Sequence, residues 1–271
     1  MPPAASRQLF LTKPSKFQIE YSINAWMDPN NQVDPKRAQE QWETLHASYL
    51  KVGAKVEVFE PLDGWPDSVF TGDAIFLYGK QGIASRFRVA ERAGEVEPMV
   101  KRFEAKGYQI HRLPEGLHFE GNGEAILWNG MILAGYGVRS DRKALDFLAK
   151  TMDVKVIPLR VQPPHFHVDT CICPLNDHTL AYVPNALDAD SQARVKKLGA
   201  DLISIDREES RLLACNSMAL NSNVIVSTIH APKFHKALEK AGFDVMPLDL
   251  SEFAKSGGGA KCLTLEAYQP A

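Results

Sequence analysis

Acidic and nucleophilic residues recur on predicted strands of this chain that are otherwise apolar. They are Asp67 and Asp73 in PDSVFTGDAIF, Glu120 and Glu124 in FEGNGEAIL, His167 and Asp169 in FHVDTCICPL, Asn216 in ACNSMAL, and Cys262 in GGGAKCLTL. Burying several carboxylates in apolar segments is costly unless they are paired or bind a cationic ligand. The set therefore predicts a buried site for a cation.

Cys262 is the candidate nucleophile of this set. A thiol reacts as the thiolate and needs a proton carrier within hydrogen-bond reach. His167 can carry the proton, and Glu120 can orient the histidine as the third member of a triad. Acyl-transfer enzymes use similar triads, but a neutral amide gains little from a surrounding group of carboxylates. A guanidinium has five N–H donors in a planar fork that matches carboxylates, so these residues predict a small guanidinium-like substrate.

Each of these residues also has a purely structural interpretation. Asp73 could cap a turn, Glu120 could lie on a solvated loop, and His167 could be a hydrogen-bonded core histidine. A lone buried cysteine is more often inert than nucleophilic, and this applies to Cys262. The presence of all four in one chain favours the catalytic interpretation.

A second set of possible ligands lies along a single segment. Its members are His165, His167, Asp169, Cys171 and Cys173. Alternate residues of a strand share one face, so these side chains could converge on a metal ion. Structural zinc sites, however, favour closely spaced cysteine pairs from separate turns, and an extended strand does not wrap round an ion. Because the glycines of the chain also form no phosphate-binding loop, we expect no metal and no cofactor.

Composition indicates an ordinary soluble protein. The 271 residues are 45% hydrophobic and 24% charged, and the formal net charge of −2 gives no reason to expect nucleic acid or a membrane as partner. No apolar run is long enough to span a bilayer, and the start, MPPAASR, lacks the apolar stretch of a signal peptide. We expect a cytoplasmic protein whose four cysteines are thiols. No linker divides the chain, so residues 1–271 are predicted to form a single domain.

The elements that must position these residues repeat along the chain. The clearest unit has strands at 125–128 and 131–134 around the hairpin signal Asn129-Gly130, a helix over 140–152 and a strand at 154–158. Three further units begin near residues 68, 167 and 215. The N-terminal unit has a helix at 35–52 but lacks one hairpin strand, which residues 262–265 would supply. Repeats of roughly 40–50 residues whose first and last segments complete one another predict a closed ring.

The motifs resemble those of a known group of enzymes. FTGDA, FEGNGE, FHVDT and GGGAKCLTLE, in this order, are similar to motifs of the guanidino-group-modifying enzymes of the amidinotransferase superfamily, the pentein proteins. YSINAWMDPNN and PDSVF resemble bacterial members described as dimethylarginine hydrolases. The resemblance covers nearly the whole chain. It implies an α/β fold, a five-bladed α/β propeller of repeated ββαβ units that is closed by the C-terminal strand.

The resemblance also implies roles for individual residues. Cys262 would attack the guanidinium carbon, His167 would transfer protons, and Glu120 would hydrogen-bond the histidine. The implied substrate-binding residues are Asp73 and Asp169 at the guanidinium nitrogens, Arg92 and Arg139 at the α-carboxylate, and Asn24, Asp67 and Phe70 elsewhere in the pocket. Without the resemblance, the two arginines would be interpreted as surface charges.

The choice of substrate within this group depends on two aspartates. Relatives similar to arginine dihydrolases commonly have asparagine at the position of Asp73, within FTAN, so aspartate favours hydrolysis that stops at citrulline. Asp169 suits bare N–H donors better than methylated nitrogens, which have lost donors, and arginine deiminases share it. These residues by themselves do not separate methylated from unmodified arginine. From the resemblance to dimethylarginine hydrolases we expect hydrolysis of an N-omega-methylated arginine, from dimethylarginine to citrulline plus dimethylamine. An arginine deiminase or arginine dihydrolase is the alternative.

Three other classes fit the sequence less well. An amidinotransferase must exclude water and commonly carries longer loops than this chain has. A non-catalytic binding protein, such as the ribosome-binding initiation factor of the same fold, needs no Cys–His–carboxylate set. A papain-like hydrolase would have its cysteine before its histidine, whereas the order here is Glu120, His167, Cys262. The expected partner is a small-molecule guanidino substrate, and a homodimer is possible.

Overall fold

The computed structural model describes residues 7–270, and within this range the chain forms fifteen strands. They are β1 (Gln8–Thr12), β2 (Lys55–Phe59), β3 (Ile75–Tyr78), β4 (Gln81–Ala84), β5 (Gln109–His111), β6 (Ala125–Trp128), β7 (Met131–Tyr136), β8 (Lys155–Arg160), β9 (Ile172–Pro174), β10 (Thr179–Tyr182), β11 (Asp201–Ser204), β12 (Met218–Leu220), β13 (Asn223–Val226), β14 (Asp244–Pro247) and β15 (Thr264–Tyr268).

Eight α-helices lie in the described range. They are α1 (Pro35–Lys51), α2 (Val96–Ala105), α3 (Gly121–Glu124), α4 (Arg142–Met152), α5 (Ala189–Lys196), α6 (Arg207–Arg211), α7 (Pro232–Lys240) and α8 (Ser251–Ala254). Short 3-10 helices occur at Pro66–Val69, Ala90–Glu95, Val168–Thr170 and Pro184–Ala186. No helix among these residues is long and apolar enough to cross a membrane.

Helix α1 shows how local sequence sets the boundaries of an element. The carboxylate of Asp34 accepts hydrogen bonds from the backbone N–H groups of Lys36 and Arg37, which have no partner inside the helix. Pro35 occupies the first turn, where its missing N–H costs nothing. Gly53 follows the helix with a φ of 84°, the left-handed conformation that ends helices. The predicted helix over 35–52 is confirmed to within one residue.

Each unit is a three-stranded sheet built in the same way. Strands β6 and β7 form an antiparallel hairpin at Asn129 and Gly130, whose φ angles of 48° and 68° are those of a two-residue turn. Helix α4 buries Ala144, Leu145 and Leu148, and β8 then returns parallel to β7. The same order of hairpin, helix and parallel third strand recurs in β3–β5, β9–β11 and β12–β14. The predicted ββαβ repeat is confirmed.

The C-terminal strand completes the first unit. Strand β15 pairs antiparallel with β1, with Gln8 opposite Ala267, and β1 pairs parallel with β2. On its other edge, β15 pairs parallel with β3, with Ala267 opposite Leu77. This second pairing joins the first two units into one six-stranded sheet, and the other units are separate three-stranded sheets. The predicted strand at 262–265 is confirmed, shifted to Thr264–Tyr268.

The residues with candidate chemistry do not lie on strands, and the sequence interpretation was wrong in this detail. Asp73 lies in the turn before β3, and Glu120 directly precedes the short helix α3 before β6. His167 precedes the 3-10 helix before β9, and Cys262 lies in the turn before β15. Alternate side chains of a strand point to opposite faces. The side chains of a turn or short helix are not bound to this alternation. The turns and short helices that precede β3, β6, β9 and β15 can therefore all direct their polar groups toward the ring axis.

Two of the predictions concern residues that the structure does not describe. The missing signal-peptide signature involves residues 1–6, and the domain limits include residues 1–6 and 271, so these predictions lie outside the described residues. The single-domain interpretation stays a prediction. The four cysteines are free and buried, which confirms the prediction that they are thiols.

Removal of β15 tests its role in closing the ring. We expect a chain that ends at residue 263 to lose cooperative thermal unfolding, because one edge of β1 and one edge of β3 lose their partner strand and the buried side chains of Leu265, Ala267 and Tyr268 are removed. A chain lacking only residues 270–271 is the control and should melt like the full chain. A cooperative transition in the shorter chain, followed by circular dichroism, would contradict this role.

Candidate active site

Asn216 holds the loop that carries Cys262. Its side-chain oxygen accepts hydrogen bonds from the backbone N–H groups of Gly259, at 2.8 Å, and Cys262, at 3.2 Å. Its side-chain nitrogen donates to the Cys262 Sγ, at 3.1 Å, and to the carbonyl of Asp169, at 3.2 Å. Asn216 precedes β12, so one buried amide connects three of the five units at the axis. The sequence showed Asn216 at an equivalent position but did not assign it to the site.

The glycines before Cys262 allow close contact with neighbouring side chains. A methyl group on Gly258 would overlap the ring of Phe70, and one on Gly259 would overlap the side chain of Ser227. Ser227 in turn donates to the carbonyl of Asn216 and accepts from the N–H of Ala260, at 2.8 Å for the second bond. The glycine run therefore lets the loop pack directly against the pocket wall.

His167 and Glu120 form a buried pair. The His167 Nε2 lies 2.7 Å from the Glu120 Oε2, which also accepts from the Arg139 Nη1 at 3.1 Å. Glu120 Oε1 accepts from the backbone N–H of Arg88 at 3.1 Å. Burial opposes the charged imidazolium, but Asp73 and Glu120 outweigh it and raise the pKa of His167 to about 9. Burial likewise opposes ionisation of Glu120, but its bonds to His167 and Arg139 lower its pKa. At neutral pH the pair is an imidazolium and a carboxylate.

The second nitrogen of His167 faces the pocket. His167 Nδ1 lies 3.7 Å from the Asp73 Oδ1, and it has no hydrogen-bond partner among the described residues. Gly123 keeps this space open, because a methyl group there would lie 2.7 Å from both atoms. The imidazolium therefore offers one N–H to whatever enters beside Asp73.

Two carboxylates converge on Cys262 with unused acceptors. Asp169 Oδ2 lies 3.2 Å from the Cys262 Sγ, and ligand atoms of Asp73, Asp169 and Cys262 all lie within 4.8 Å of one another. Asp73 Oδ1 and Asp169 Oδ1 are buried and have no hydrogen-bond partner in residues 7–270. Buried carboxylate oxygens are rarely left without a donor. The arrangement is thus built for a ligand that brings both N–H donors and positive charge.

The Cys262 thiol is neutral in the ligand-free site. Burial, followed by the charges of Asp169 and Asp73, raises its pKa well above the ordinary value. Burial also raises the pKa of Asp169 to about 6, against the lowering effect of His167. Because both carboxylates disfavour the thiolate, a bound cation that neutralises them would make the thiol easier to ionise.

Arg92 is more constrained than the sequence indicated. Its guanidinium donates to the Asp73 Oδ2 at 2.6 Å, to both oxygens of Glu95 at 2.8 Å, and to the carbonyl of Asp67 at 3.1 Å. Four of its five N–H donors are therefore engaged. The structure places Arg92 beside Asp73, which is predicted to bind the guanidinium. The predicted contact of Arg92 with a substrate α-carboxylate stays a prediction. Glu95 gave no sequence signal, because an acidic residue of a surface-like segment looks solvated.

The remaining predicted residues line one pocket with Cys262. Arg139 donates to the carbonyl of Ile23 at 2.8 Å, and its guanidinium lies 5.1 Å from the ring centre of Phe166. Asn24 donates to the carbonyl of Ser256 at 3.0 Å. The pocket is lined by Ile23, Asn24, Asp67, Phe70, Asp73, Arg92, Arg139, Phe166, Ser256, Gly257, Gly258 and Cys262. Tertiary structure therefore brings together the predicted site residues, with His167, Glu120 and Asp169 beside this pocket.

The structure does not assemble the histidine–cysteine segment as a metal site. Cys171 contacts the carbonyl of His167, and Cys173 lies against the carbonyl of Ser217 instead. Within the described part of the chain, the group with metal-ligand spacing is Asp73, Asp169 and Cys262. In this group two carboxylate oxygens have no hydrogen-bond partner among the described residues and lie beside the Cys262 thiol.

The ring of five units and the Cys–His–carboxylate site define a guanidino-group-modifying enzyme of the pentein fold. The chain belongs to the family described as N,N dimethylarginine dimethylhydrolase, eukaryotic, whose family model matches residues 10–269. It is therefore an enzyme, a hydrolase of the dimethylarginine dimethylaminohydrolase type that acts on guanidino groups.

Curated relatives of two kinds are similar to this chain. The N(G),N(G)-dimethylarginine dimethylaminohydrolase of Mycobacterium tuberculosis is 36% identical over 97% of this chain and 86% of its own length. The bifunctional arginine dihydrolase/ornithine cyclodeaminase of a Synechocystis species is 37% identical over 97% of this chain. The chain spans only 38% of the length of that second relative.

Solved structures agree with the fold. The N-terminal domain of a cyanobacterial arginine dihydrolase, bound to product, matches with a TM-score of 0.91 at 35% identity, over 97% of this chain and 98% of that one. A dimethylarginine dimethylaminohydrolase adduct matches with a TM-score of 0.79 at 18% identity, over 96% of this chain and 99% of that one. The second likeness bears on the fold alone. The predicted α/β propeller of the pentein class is confirmed.

The state of the Cys262 thiol can be measured by ultraviolet absorbance. Because burial and two carboxylates raise its pKa, we expect no thiolate absorbance up to about pH 9 in the free enzyme, near the ordinary thiol pKa. Cys262→Ser is the reference, since the other three cysteines also have raised pKa values. A difference spectrum that shows a thiolate at neutral pH would contradict the assignment.

The His167–Glu120 pair predicts an unusual imidazole titration. We expect the NMR-detected pKa of His167 to be about 9 and to fall in Glu120→Gln, because that change removes a charge that raises it. Since its folded pKa exceeds the ordinary 6.5, the stability that His167 contributes is complete below about 6.5 and lost as pH rises through about 9. The exposed Glu115→Gln is the matched control. An unchanged pKa in Glu120→Gln would be inconsistent with this pairing.

Proposed function

We propose that this enzyme hydrolyses N-omega-methylated arginine, converting dimethylarginine to citrulline and dimethylamine. The observation that carries the proposal is the pair of free, buried oxygens of Asp73 and Asp169 beside the Cys262 Sγ. Neutral substrates gain nothing from two buried carboxylates, whereas a planar cation supplies the donors and charge that both lack. A guanidinium that is dimethylated on one nitrogen still has three N–H donors on the other two nitrogens, which is enough for both free oxygens.

The proposed reaction begins with the bound cation lowering the pKa of the Cys262 thiol. Asp169 Oδ2, at 3.2 Å from the Sγ, accepts the thiol proton as the sulfur attacks the guanidinium carbon. The His167 imidazolium donates its Nδ1 proton to the departing dimethylamine. A covalent amidino-cysteine remains. Neutral His167 then takes one proton from water as the oxygen attacks the same carbon. Citrulline leaves as the remaining hydroxyl proton passes to the Cys262 sulfur. Asp169 releases the proton that it took from the thiol, and dimethylamine takes up one proton in solution as dimethylammonium.

Charge favours stopping after one hydrolysis. The substrate guanidinium is cationic, and citrulline carries a neutral ureido group instead. Once the cation is consumed, Asp73 and Asp169 would be buried against a neutral group, which is unfavourable. An asparagine at position 73 would instead offer an amide that hydrogen-bonds a neutral urea, so Asp73 supports release of citrulline.

We assign the two arginines different roles. Arg92 is held by Glu95, Asp67 and Asp73, and its main task is to fix the orientation of Asp73. Arg139 makes two hydrogen bonds, to Glu120 and the Ile23 carbonyl, among the described residues. It therefore retains three of its five N–H donors for the α-carboxylate of the substrate. Asn24 and Phe70 complete the pocket wall.

Hydrolysis of unmodified arginine is the second candidate. It is favoured by the likeness to the arginine dihydrolase domain, whose identity of 35% is close to the 36% of the Mycobacterium enzyme. Asp169 supports it as well, because a second carboxylate can accept from the N–H groups that methylation removes. An amidinotransferase, a cytoplasmic location and a homodimer remain predictions from the sequence.

Product analysis distinguishes these reactions. We expect citrulline and dimethylamine from asymmetric dimethylarginine and little turnover of arginine, with Cys262→Ser as the inactive blank. Asp73→Asn should lower kcat/KM for dimethylarginine about 100-fold, because removing one partner of a buried charge pair costs about 2–5 kcal/mol. Exposed Asp63→Asn is the matched control.

The other outcomes identify the alternatives. Citrulline and ammonia from arginine alone would establish a deiminase, and ornithine with two equivalents of ammonia would establish a dihydrolase. Turnover of neither substrate by a folded protein would overturn the proposal and favour an amidinotransferase.

A further inference from the structure

A second cavity lies further along the strands that begin at the active site. It is lined by residues of β6, β9, β12 and β15, among them Ile126, Ile172, Met218 and Ala267. Each follows the turn or short helix that presents an active-site residue on the same unit. None of the residues that line this cavity lines the pocket with Cys262. The two spaces are thus separate and lie at successive levels of the ring.

Three ionised side chains line this cavity. Arg7 Nε donates to the Glu266 Oε1 at 2.5 Å, and its Nη1 donates to the carbonyl of Ala219 at 2.5 Å. Lys261 donates to the hydroxyl of Tyr268 at 2.8 Å and lies 3.5 Å from the Glu266 Oε2. All three ionised groups are buried. Interactions with Glu266 and Tyr268 outweigh burial and raise the pKa values of both cations, while Arg7 and Lys261 lower that of Glu266.

The charges in this cavity do not balance. Arg7 and Lys261 contribute two positive charges, and Glu266 is the one acidic residue in the described lining. Burial raises the pKa of Cys173 to about 12, and it also raises the pKa of Tyr268, so both side chains are neutral near pH 7. Asp169 also interacts with Lys261, but it lies outside this lining and its Oδ2 contacts the Cys262 Sγ. The lining itself therefore has a buried excess of one positive charge, which is unfavourable unless a ligand compensates for it.

Lys261 also has donor capacity left over. Its ammonium has three N–H groups, and among the described residues it makes one short hydrogen bond, to Tyr268, and one long contact, to Glu266. Because this side chain is buried within the cavity lining, its remaining donor needs an acceptor inside the cavity.

We propose that this cavity is a binding site for one small monovalent anion, held by Lys261 and Arg7. Its volume of about 50 Å³ has room for roughly four water-sized probes. This is enough for chloride, bromide, nitrate or bicarbonate. Gln269 in the lining is exposed, and Leu127 and Pro174 are partly exposed, so solvent ions have a route of entry. One bound anion brings the local net charge to zero.

Crystals grown with sodium bromide test the site directly. We expect an anomalous-scattering peak inside the cavity, in contact with the Lys261 Nζ. The full-length wild-type chain is used, so no variant has to fold. An empty cavity at a bromide concentration that labels exposed surface sites would overturn the proposal.

A charge series tests the same site in solution. Sodium chloride should raise the melting temperature above that in sodium gluconate of equal ionic strength, and the difference should saturate as it does for a ligand of the folded state. Glu266→Gln raises the local charge and should shift this saturation to lower chloride concentration. Lys261→Met removes the excess charge and should abolish the chloride-specific difference.

The controls separate a site from general salt effects. Exposed Lys143→Met should keep the chloride-specific difference of the wild type. If Lys261→Met does not fold, the shift of saturation to lower chloride concentration in Glu266→Gln still tests whether the cavity binds an anion. Equal melting in chloride and gluconate for both wild type and Glu266→Gln would contradict an anion site. Catalytic turnover is not measured in any arm, so the result is independent of the proposed substrate.

Discussion

The backbone pairing of β15 on both of its edges is the interaction on which the rest of the structure depends. β15 binds β1 on one side and β3 on the other, and the turn in front of it carries Cys262. The position of Cys262, the proposed nucleophile, is therefore set both by the N-terminal strand β1 and by the second unit through β3. Asn216, which lies in a third unit, accepts a hydrogen bond from the backbone N–H of Cys262 and donates one to the carbonyl of Asp169 in a fourth unit. Its side chain thus connects the Cys262 turn to both of these units.

Charge is distributed unevenly on the two sides of the Cys262 turn. On the active-site side, Asp73 and Asp169 each keep one buried oxygen without a hydrogen-bond donor among the described residues, even with Arg92 bound to Asp73. On the other side, Lys261 and Arg7 exceed Glu266 by one charge. Both charge imbalances are costly in free energy, because unpaired charges in the interior of the ring are not solvated by water. Lys261 and Cys262 are consecutive residues, yet the proposed ligand beside Lys261 is an anion and the proposed ligand beside Cys262 is a cation.

Local sequence was sufficient for the repeating elements. The Asn129-Gly130 turn, the capped start of α1 and the apolar spacing of α4 are short-range signals, because turn angles, helix caps and helical periodicity involve residues only a few positions apart. The roles first suggested for Cys262, His167 and Glu120 came from residue type and order. The hydrogen bond between His167 and Glu120 spans 47 positions, so a resemblance to known enzymes can suggest it whereas local spacing cannot.

What the sequence by itself determined is the set of ββαβ units and a group of residues able to do guanidinium chemistry. Only the tertiary structure decided that those residues precede the strands, that Arg92 is bound to Asp73 and Glu95, and that Lys261 turns into a separate charged cavity. The reason is physical. Pairings between distant segments, and the burial that sets each pKa, depend on which elements pack together, and no local pattern of residues encodes that choice.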